Sequence, residues 1–275
     1  MYVDPFSLRL LNGAGTVPVS EGRGPVVLMY HSITPGKATP DSRWAVSEQS
    51  FVEQLSLLQD LGWHTALVGD LREPCRFGNK TVILTFDDGF ADNYSHAFHH
   101  LVTRGMKASW FVVTGNVGTM SSWTDSDVPA RKMLDRQQLI EMHVAGMEIG
   151  GHTRTHARLT KEANHQAKEE VLGCKEDLES ILQNEVRTFA YPYGLHNSDV
   201  EGAVRRAGFE VACTTRTGWA GSDTNLLRVR RVAIFAEDSL SMFARKIAFA
   251  DTDIGWAKMR QYFFSRIKNR LIGGC

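Results

Sequence analysis

Apolar residues along this chain collect into short dense runs, and the segments between the runs carry apolar positions at helical spacing. Val26-Val27-Leu28-Met29-Tyr30-His31 and Thr81 to Phe86 have the length and β-branched content of buried strands. Lys107 to Val113, Met147 to Gly151, Thr188 to Tyr191, Phe209 to Thr214 and Val229 to Phe235 repeat the theme, with His64 to Val68 a shorter case. Between them, Phe51, Leu55, Leu58 and Leu61 recur at helical intervals and Gly62 closes that element. Further helices are predicted over Ala91 to Arg104, Leu134 to Ala145, Thr160 to about Leu182, Asp199 to Ala207 and Ser239 to Phe249. Residues 1–24 are poor in pattern and read as a surface covering. Residues 32–45 and 114–130 read as loops, the second long enough to suggest a functional role.

Strands that alternate with helices predict a mostly parallel sheet with helices on its outside. Seven or eight such repeats exceed what a small open sheet needs. The expectation is therefore an α/β protein, a distorted (β/α)7–8 barrel forming a single domain over 1–275, with its core at about 24–250. Chemistry in such barrels gathers at the carboxyl ends of the strands. His31, Asp87, Asp88, His152 and Tyr193 all fall there.

Composition narrows the classes. Lys plus Arg equals Asp plus Glu at 31 each, so no overall field favours nucleic acid. A hydrophobic content of 43% belongs to a folded chain, not a disordered one. Cys75, Cys174, Cys213 and Cys275 form no CxxC pair or disulfide-scaffold spacing, and free thiols in a reducing compartment are expected. The N-terminal stretch lacks the apolar run of a secretion signal, and no segment reaches the length of a membrane span. A cytoplasmic location is the expectation.

Three constellations carry candidate chemistry. Thr85-Phe86-Asp87-Asp88-Gly89 ends a buried strand in two adjacent carboxylates, which must be paired, ligated or solvated. An Asp-Gly turn without chemistry is the plain alternative. His152-Thr153-Arg154-Thr155-His156 places two imidazoles four residues apart, able to meet one ion on a helix or tight turn. With a carboxylate from another strand they would form a two-histidine, one-carboxylate face suited to zinc or another divalent first-row metal. His96 and His100 share that spacing but follow no strand end, and are read as a solvated helix face. Tyr191-Pro192-Tyr193-Gly194 is a forced turn that either simply ends a strand or aims a backbone N–H into a site.

These three motifs, in this order, resemble the polysaccharide deacetylase (NodB-homology) family over roughly residues 24–235; an early strand ending in His31, with no late histidine, looks like its poly-N-acetylglucosamine deacetylase branch, whose motif order is permuted. The resemblance implies a distorted (β/α) barrel and a metal-dependent hydrolase that removes N-acetyl groups from amino sugars of a glycan or glycan precursor. It implies Asp87 as general base and Asp88, His152 and His156 as ligands of a divalent metal, Zn2+ first, with Co2+, Ni2+ or Mn2+ as alternatives. The backbone N–H of Tyr193 would join the metal in stabilising the oxyanion. Tyr30, Tyr191 and Pro192 are the candidate substrate contacts.

Two departures from the family pattern matter. The late Leu-x-His motif that supplies the acid is missing, since no histidine follows His196. His31 is the candidate replacement, because a barrel makes its first and last strands neighbours; a core histidine hydrogen-bonded beside Asp88 is the alternative. Ala190 stands where much of the family has an arginine that orients the base. Arg231 is the candidate substitute and Arg230 its competitor. The segment 254–272 is basic and amphipathic, and is expected to form a helix that packs on the barrel or touches an anionic membrane surface weakly. O-acetyl or non-sugar amide hydrolysis, or a carbohydrate-binding relic without turnover, are the competing readings.

Overall fold

Side chains of a strand point alternately to opposite faces, and in this chain that parity separates two cores. The structure, a computed structural model, describes residues 2–14, 24–73, 77–78, 80–123 and 129–255. In chain order the helices and strands are α1 (Pro5–Ala14), β1 (Val26–Tyr30), β2 (Ser32–Thr34), β3 (Ala45–Ser47), α2 (Glu48–Asp60), β4 (His64–Ala66), β5 (Thr81–Phe86), α3 (Ala91–Asn93), α4 (His99–Thr103), β6 (Ser109–Val112), α5 (Arg136–Val144), β7 (Glu148–Gly151), α6 (Asn164–Leu182), β8 (Thr188–Ala190), α7 (Ser198–Arg206), β9 (Val211–Cys213), β10 (Val232–Ala233) and α8 (Leu240–Phe249).

Eight strands form one parallel sheet in the order β10-β1-β5-β6-β7-β8-β9, with β4 also paired to β5. The sheet curls into a distorted barrel. Its ends approach because Val229 makes a single parallel bridge to Cys213 of β9, while Val232, three residues on, pairs with Leu28 of β1. The strand expected over 229–235 is accordingly short, since that segment changes partner midway. Val27, Ile83, Phe111, Ala190, Val211 and Cys213 fill the inside of the curl. Val26, Leu28, Tyr30, Val82, Leu84, Phe86, Trp110 and Phe189 face the helices, where Phe86 stacks on Trp110 at 4.8 Å. Each such fully buried aliphatic or aromatic side chain contributes about 1.5–3 kcal/mol, so both faces of every central strand stabilise the fold. The sheet is parallel throughout, so every strand delivers its carboxyl end to the same rim.

Three expectations change. Residues 5–14, read as patternless, form α1 against α8; Asp4 begins it by accepting from the Ser7 amide (2.9 Å) and hydroxyl (2.6 Å), and Leu11 is fully buried. The loop 32–45 is bracketed by a small parallel pair, β2 with β3, rather than being irregular throughout. The helix expected over Ala91 to Arg104 is present, but its middle, Tyr94–Phe98, is a π turn, a distortion that periodicity does not reveal. Cys174 and Cys213 are buried free thiols, both pushed up to about 12 by burial. Cys75, Cys275 and nearly all of the segment 254–272 lie outside the described residues. No helix among those described is long and apolar enough to cross a membrane.

Candidate active site

Parity carries β1 and β5 into the site as far as Asp87. Met29 and His31 of the first chain segment face inward, as do Ile83, Thr85 and Asp87 of the second. Asp87 is buried and held by both ends of a guanidinium: Arg231 Nη1 donates to Oδ1 at 2.6 Å and Nη2 to Oδ2 at 2.7 Å. Arg231 is itself buried, and its Nε donates to the Thr214 carbonyl at 2.9 Å and its Nη1 to Thr85 Oγ1 at 3.2 Å. Burial pushes the Asp87 carboxyl up, but attraction and hydrogen bonding from Arg231 outweigh it and hold the group below the usual carboxylate range. Arg230 is not the partner; it forms its own pair with Asp223, at 2.7 Å from Nε. Thus the guanidinium missing at Ala190 reaches Asp87 from the segment before β10.

Asp88 would point away if the strand continued. Its φ of 73° instead breaks the alternation, and Gly89 follows at φ 86°. A Cβ on Gly89 would lie 3.0 Å from Val112 Cγ1 and 3.3 Å from its Cα, so a side chain there would strain a backbone conformation already unfavourable to it. Asp88 Oδ1 thereby comes to 3.5 Å from His152 Nε2 and 3.4 Å from His156 Nε2. The two histidines do not lie on a helix. A tight turn with Thr153 at φ 66° and His156 at φ 60° brings them together. That turn is lashed to α6: Glu170 accepts from the Arg154 and Thr155 amides, each at 2.9 Å, and Asp177 takes the Arg154 guanidinium in two bonds of 2.9 Å.

The donor set fits a divalent cation. Asp88 Oδ1 is buried and has no hydrogen-bond partner among the described residues, a costly state for a carboxylate oxygen. His152 Nδ1 lies 2.7 Å from the Ala190 carbonyl and must donate to it, which leaves Nε2 as a lone pair facing that oxygen. One carboxylate and two imidazole nitrogens, mutually within 4.8 Å and buried, are the sole such group among the described residues. Burial lowers His156 to about 4, with Asp88 opposing, so its imidazole is neutral and able to ligate at neutral pH.

These groups line a cavity of about 610 Å3 together with His31, Trp44, Trp123, Arg131, Tyr193 and Phe235. His31 Nδ1 is buried without a hydrogen-bond partner among the described residues, and its ring leans on Trp44 at 4.6 Å. Burial lowers its basicity, against the pull of Asp88 and Asp87. Tyr193 sits at the rim with φ 60°. Of the six non-glycine residues with positive φ among those described, Asp88, Thr153, His156 and Tyr193 belong to this site.

The family model for polysaccharide deacetylase matches residues 76–212, which span Asp87, Asp88, His152, His156 and Tyr193. A Bacillus subtilis protein whose name places it among polysaccharide deacetylases is 28% identical over 225 residues, covering 80% of this chain and 75% of its own. The chain belongs to the polysaccharide deacetylase family. A poly-β-1,6-N-acetyl-D-glucosamine N-deacetylase of Staphylococcus aureus is 23% identical over 227 residues, 76% of this chain and 74% of that one. The structure of a Streptococcus pyogenes deacetylase in complex with acetate superposes with a TM-score of 0.70 at 25% identity, covering 82% of this chain and 98% of that chain. The family's barrel is the fold seen here.

Three expected substrate contacts of this deacetylase-family site do not line the cavity. The Tyr30 hydroxyl donates to Gln54 Oε1 at 2.8 Å in the outer core, and its ring packs on Phe51 and Phe86. The Tyr191 hydroxyl donates to the Leu227 carbonyl at 3.1 Å, and Pro192 is buried at the turn. Tyr30 and Tyr191 sit one residue from inward positions, so alternation turns them outward. His96 and His100 lie on a helix face as expected and contact Glu48, at 3.3 and 2.8 Å. Sequence reasoning missed Trp44, Phe235 and Arg131. Arg131 pairs with Asp41 and lies 3.8 Å from Asp92, tying the segment after the 114–130 loop to the 32–45 loop at the cavity mouth.

Proposed function

We propose that this chain is a metal-dependent carbohydrate N-deacetylase, removing N-acetyl groups from amino sugars of a polysaccharide, oligosaccharide or glycan precursor. The observation that carries the reading is the buried Asp88–His152–His156 cluster beside the arginine-paired Asp87, in one cavity. The named activity of the Staphylococcus aureus relative supports the N-acetyl substrate class.

Asp88, His152 and His156 would hold the cation, with Zn2+ as first choice. When bound, a divalent ion supplies Lewis acidity toward the acetyl carbonyl and the attacking water. Asp87 takes the proton of that water; Arg231 fixes the direction of its carboxylate and keeps it ionised. The Tyr193 backbone N–H adds a fixed dipole for the oxyanion, set by the left-handed turn at that residue. His31 delivers a proton to the departing amine. Trp44 and Phe235, in edge contact at 5.1 Å, offer a dry wall beside His31 for a sugar face.

Against a relic without turnover stand the pairing of Arg231 with Asp87, which supports it as the substitute for the arginine missing at Ala190, and the place of His31 in the cavity lining, which supports it as the candidate for the late histidine. Acetate release from N-acetylglucosamine oligomers tests the proposal. Release should stop with a chelator, resume on metal addition, and be lost in Asp87→Asn. Release unaffected by the chelator would overturn it.

A further inference from the structure

The two imidazoles of the candidate cation cluster are not held alike. His152 Nδ1 is 2.7 Å from a backbone carbonyl, which can only accept, so its tautomer is fixed by the fold. His156 Nδ1 is 3.1 Å from the Tyr193 hydroxyl, which can accept or donate. If that hydroxyl donates, Nε2 of neutral His156 carries the proton and cannot ligate. If it accepts, Nε2 is free to do so.

We infer that Tyr193 is a positioning residue through its side chain: its hydroxyl oxygen accepts from His156 Nδ1 and presents Nε2 to the cation. The inference rests on the metal-dependent reading above and adds to it a role separate from that of the Tyr193 backbone. The ring is well placed for this task. Its left-handed backbone, φ 60° and ψ 7°, turns the side chain toward His156, with the two ring centres 4.6 Å apart. The Arg158 guanidinium covers the ring at 3.6 Å, and Trp123 stacks on His156 at 4.7 Å, so neither ring is free to swing. The partner of a ligating imidazole sets its tautomer and orientation, and losing such a partner typically weakens metal binding by about 10–100-fold.

The test compares zinc affinity, by competition with a chromogenic chelator, in wild type, Tyr193→Phe and Tyr191→Phe. Phenylalanine at 193 keeps the backbone turn, the ring and the Arg158 contact and removes only the oxygen. The Tyr191 hydroxyl bonds Leu227, away from the cluster, and serves as control. Tyr193→Phe should bind zinc about 10–100-fold more weakly, with an unchanged melting temperature of the metal-free protein, while Tyr191→Phe keeps wild-type affinity. Nitrogen-15 spectra of the zinc-loaded wild type should report His156 protonated at Nδ1. Zinc affinity of Tyr193→Phe within about twofold of wild type would overturn the inference while leaving the metal reading intact, whereas His156 protonated at Nε2 in the zinc-loaded protein would overturn the inference and remove His156 from the ligand set. Failure of the wild type itself to take up stoichiometric zinc would overturn both.

Discussion

Replacing Arg231 by methionine tests how the Asp87 carboxylate is held, because it removes the charge while keeping much of the volume. The guanidinium makes four hydrogen bonds, two to Asp87 and one each to Thr214 and Thr85, all inside the barrel. Its loss strands a buried carboxylate, a change that costs about 3–5 kcal/mol when one member of a buried pair is deleted. The pH dependence follows from the sign of the shift. In the wild type the folded-state Asp87 lies below its usual value, so its stabilisation is present above the unfolded-state pKa and is lost as pH falls through the lower folded one. In Arg231→Met only burial remains as the main influence, so the folded value rises and the defect shrinks as the pH drops toward and below it. Urea unfolding at about pH 7.5 and about pH 5.5 would read both effects. Asp87→Asn in the same background should recover roughly 2 kcal/mol of the loss at the higher pH, since no charge is then left buried. A cost below about 1 kcal/mol, independent of pH and additive with Asp87→Asn, would refute the reasoning.

Asp88→Asn should abolish stoichiometric zinc uptake measured by elemental analysis and lower acetate release by about 1000-fold or more, while leaving the far-ultraviolet circular dichroism unchanged. Glu148 is pushed up to about 7 by burial beside Ser109 and Gly69, so the folded protein binds the extra proton between about 4.5 and 7 and its stability falls as pH rises through that window. Glu148→Gln should flatten this slope and be the more stable protein at pH 8 by about 1–3 kcal/mol, read from urea midpoints. Trp44→Ala should raise KM for N-acetylglucosamine oligomers by about tenfold with a smaller change in kcat, measured by acetate release. Asp4→Ala should cost about 1 kcal/mol by loosening the start of α1, seen as a lower thermal midpoint.

The barrel and the cluster were legible because each depends on local pattern. Dense apolar runs mark strands buried on both faces, and a run that ends in Asp-Asp-Gly or His-x-x-x-His announces what it delivers to the rim. The substrate contacts were misread for a reason also present in the chain: Tyr30 adjoins His31 and Tyr191 adjoins Ala190, and consecutive strand residues cannot share a face. Counting parity along β1 and β8 would have turned both tyrosines outward. Arg231 could be named but not chosen over Arg230, because that choice depends on a segment that leaves β9 for β1 within three residues. Trp44, Phe235 and Arg131 carried no local signal, since loops set them by contacts distant in sequence. α1 was hidden by its modest apolar content, although its Asp-x-x-Ser start was readable.

Four left-handed residues around one cavity carry a consequence for the protein as a material. Each stores roughly 1 kcal/mol or more that the surrounding framework must offset. Glycine at Thr153 or Tyr193 relieves that tension, yet it gives up the fully buried Thr153 side chain and its bond from the Ala157 amide, or the Tyr193 ring packed on His156 and Arg158, and it slackens the very turns that aim the candidate ligands. The tension in these turns is therefore held in place by the packing around them, and a change that eased it would loosen the candidate cation cluster as well.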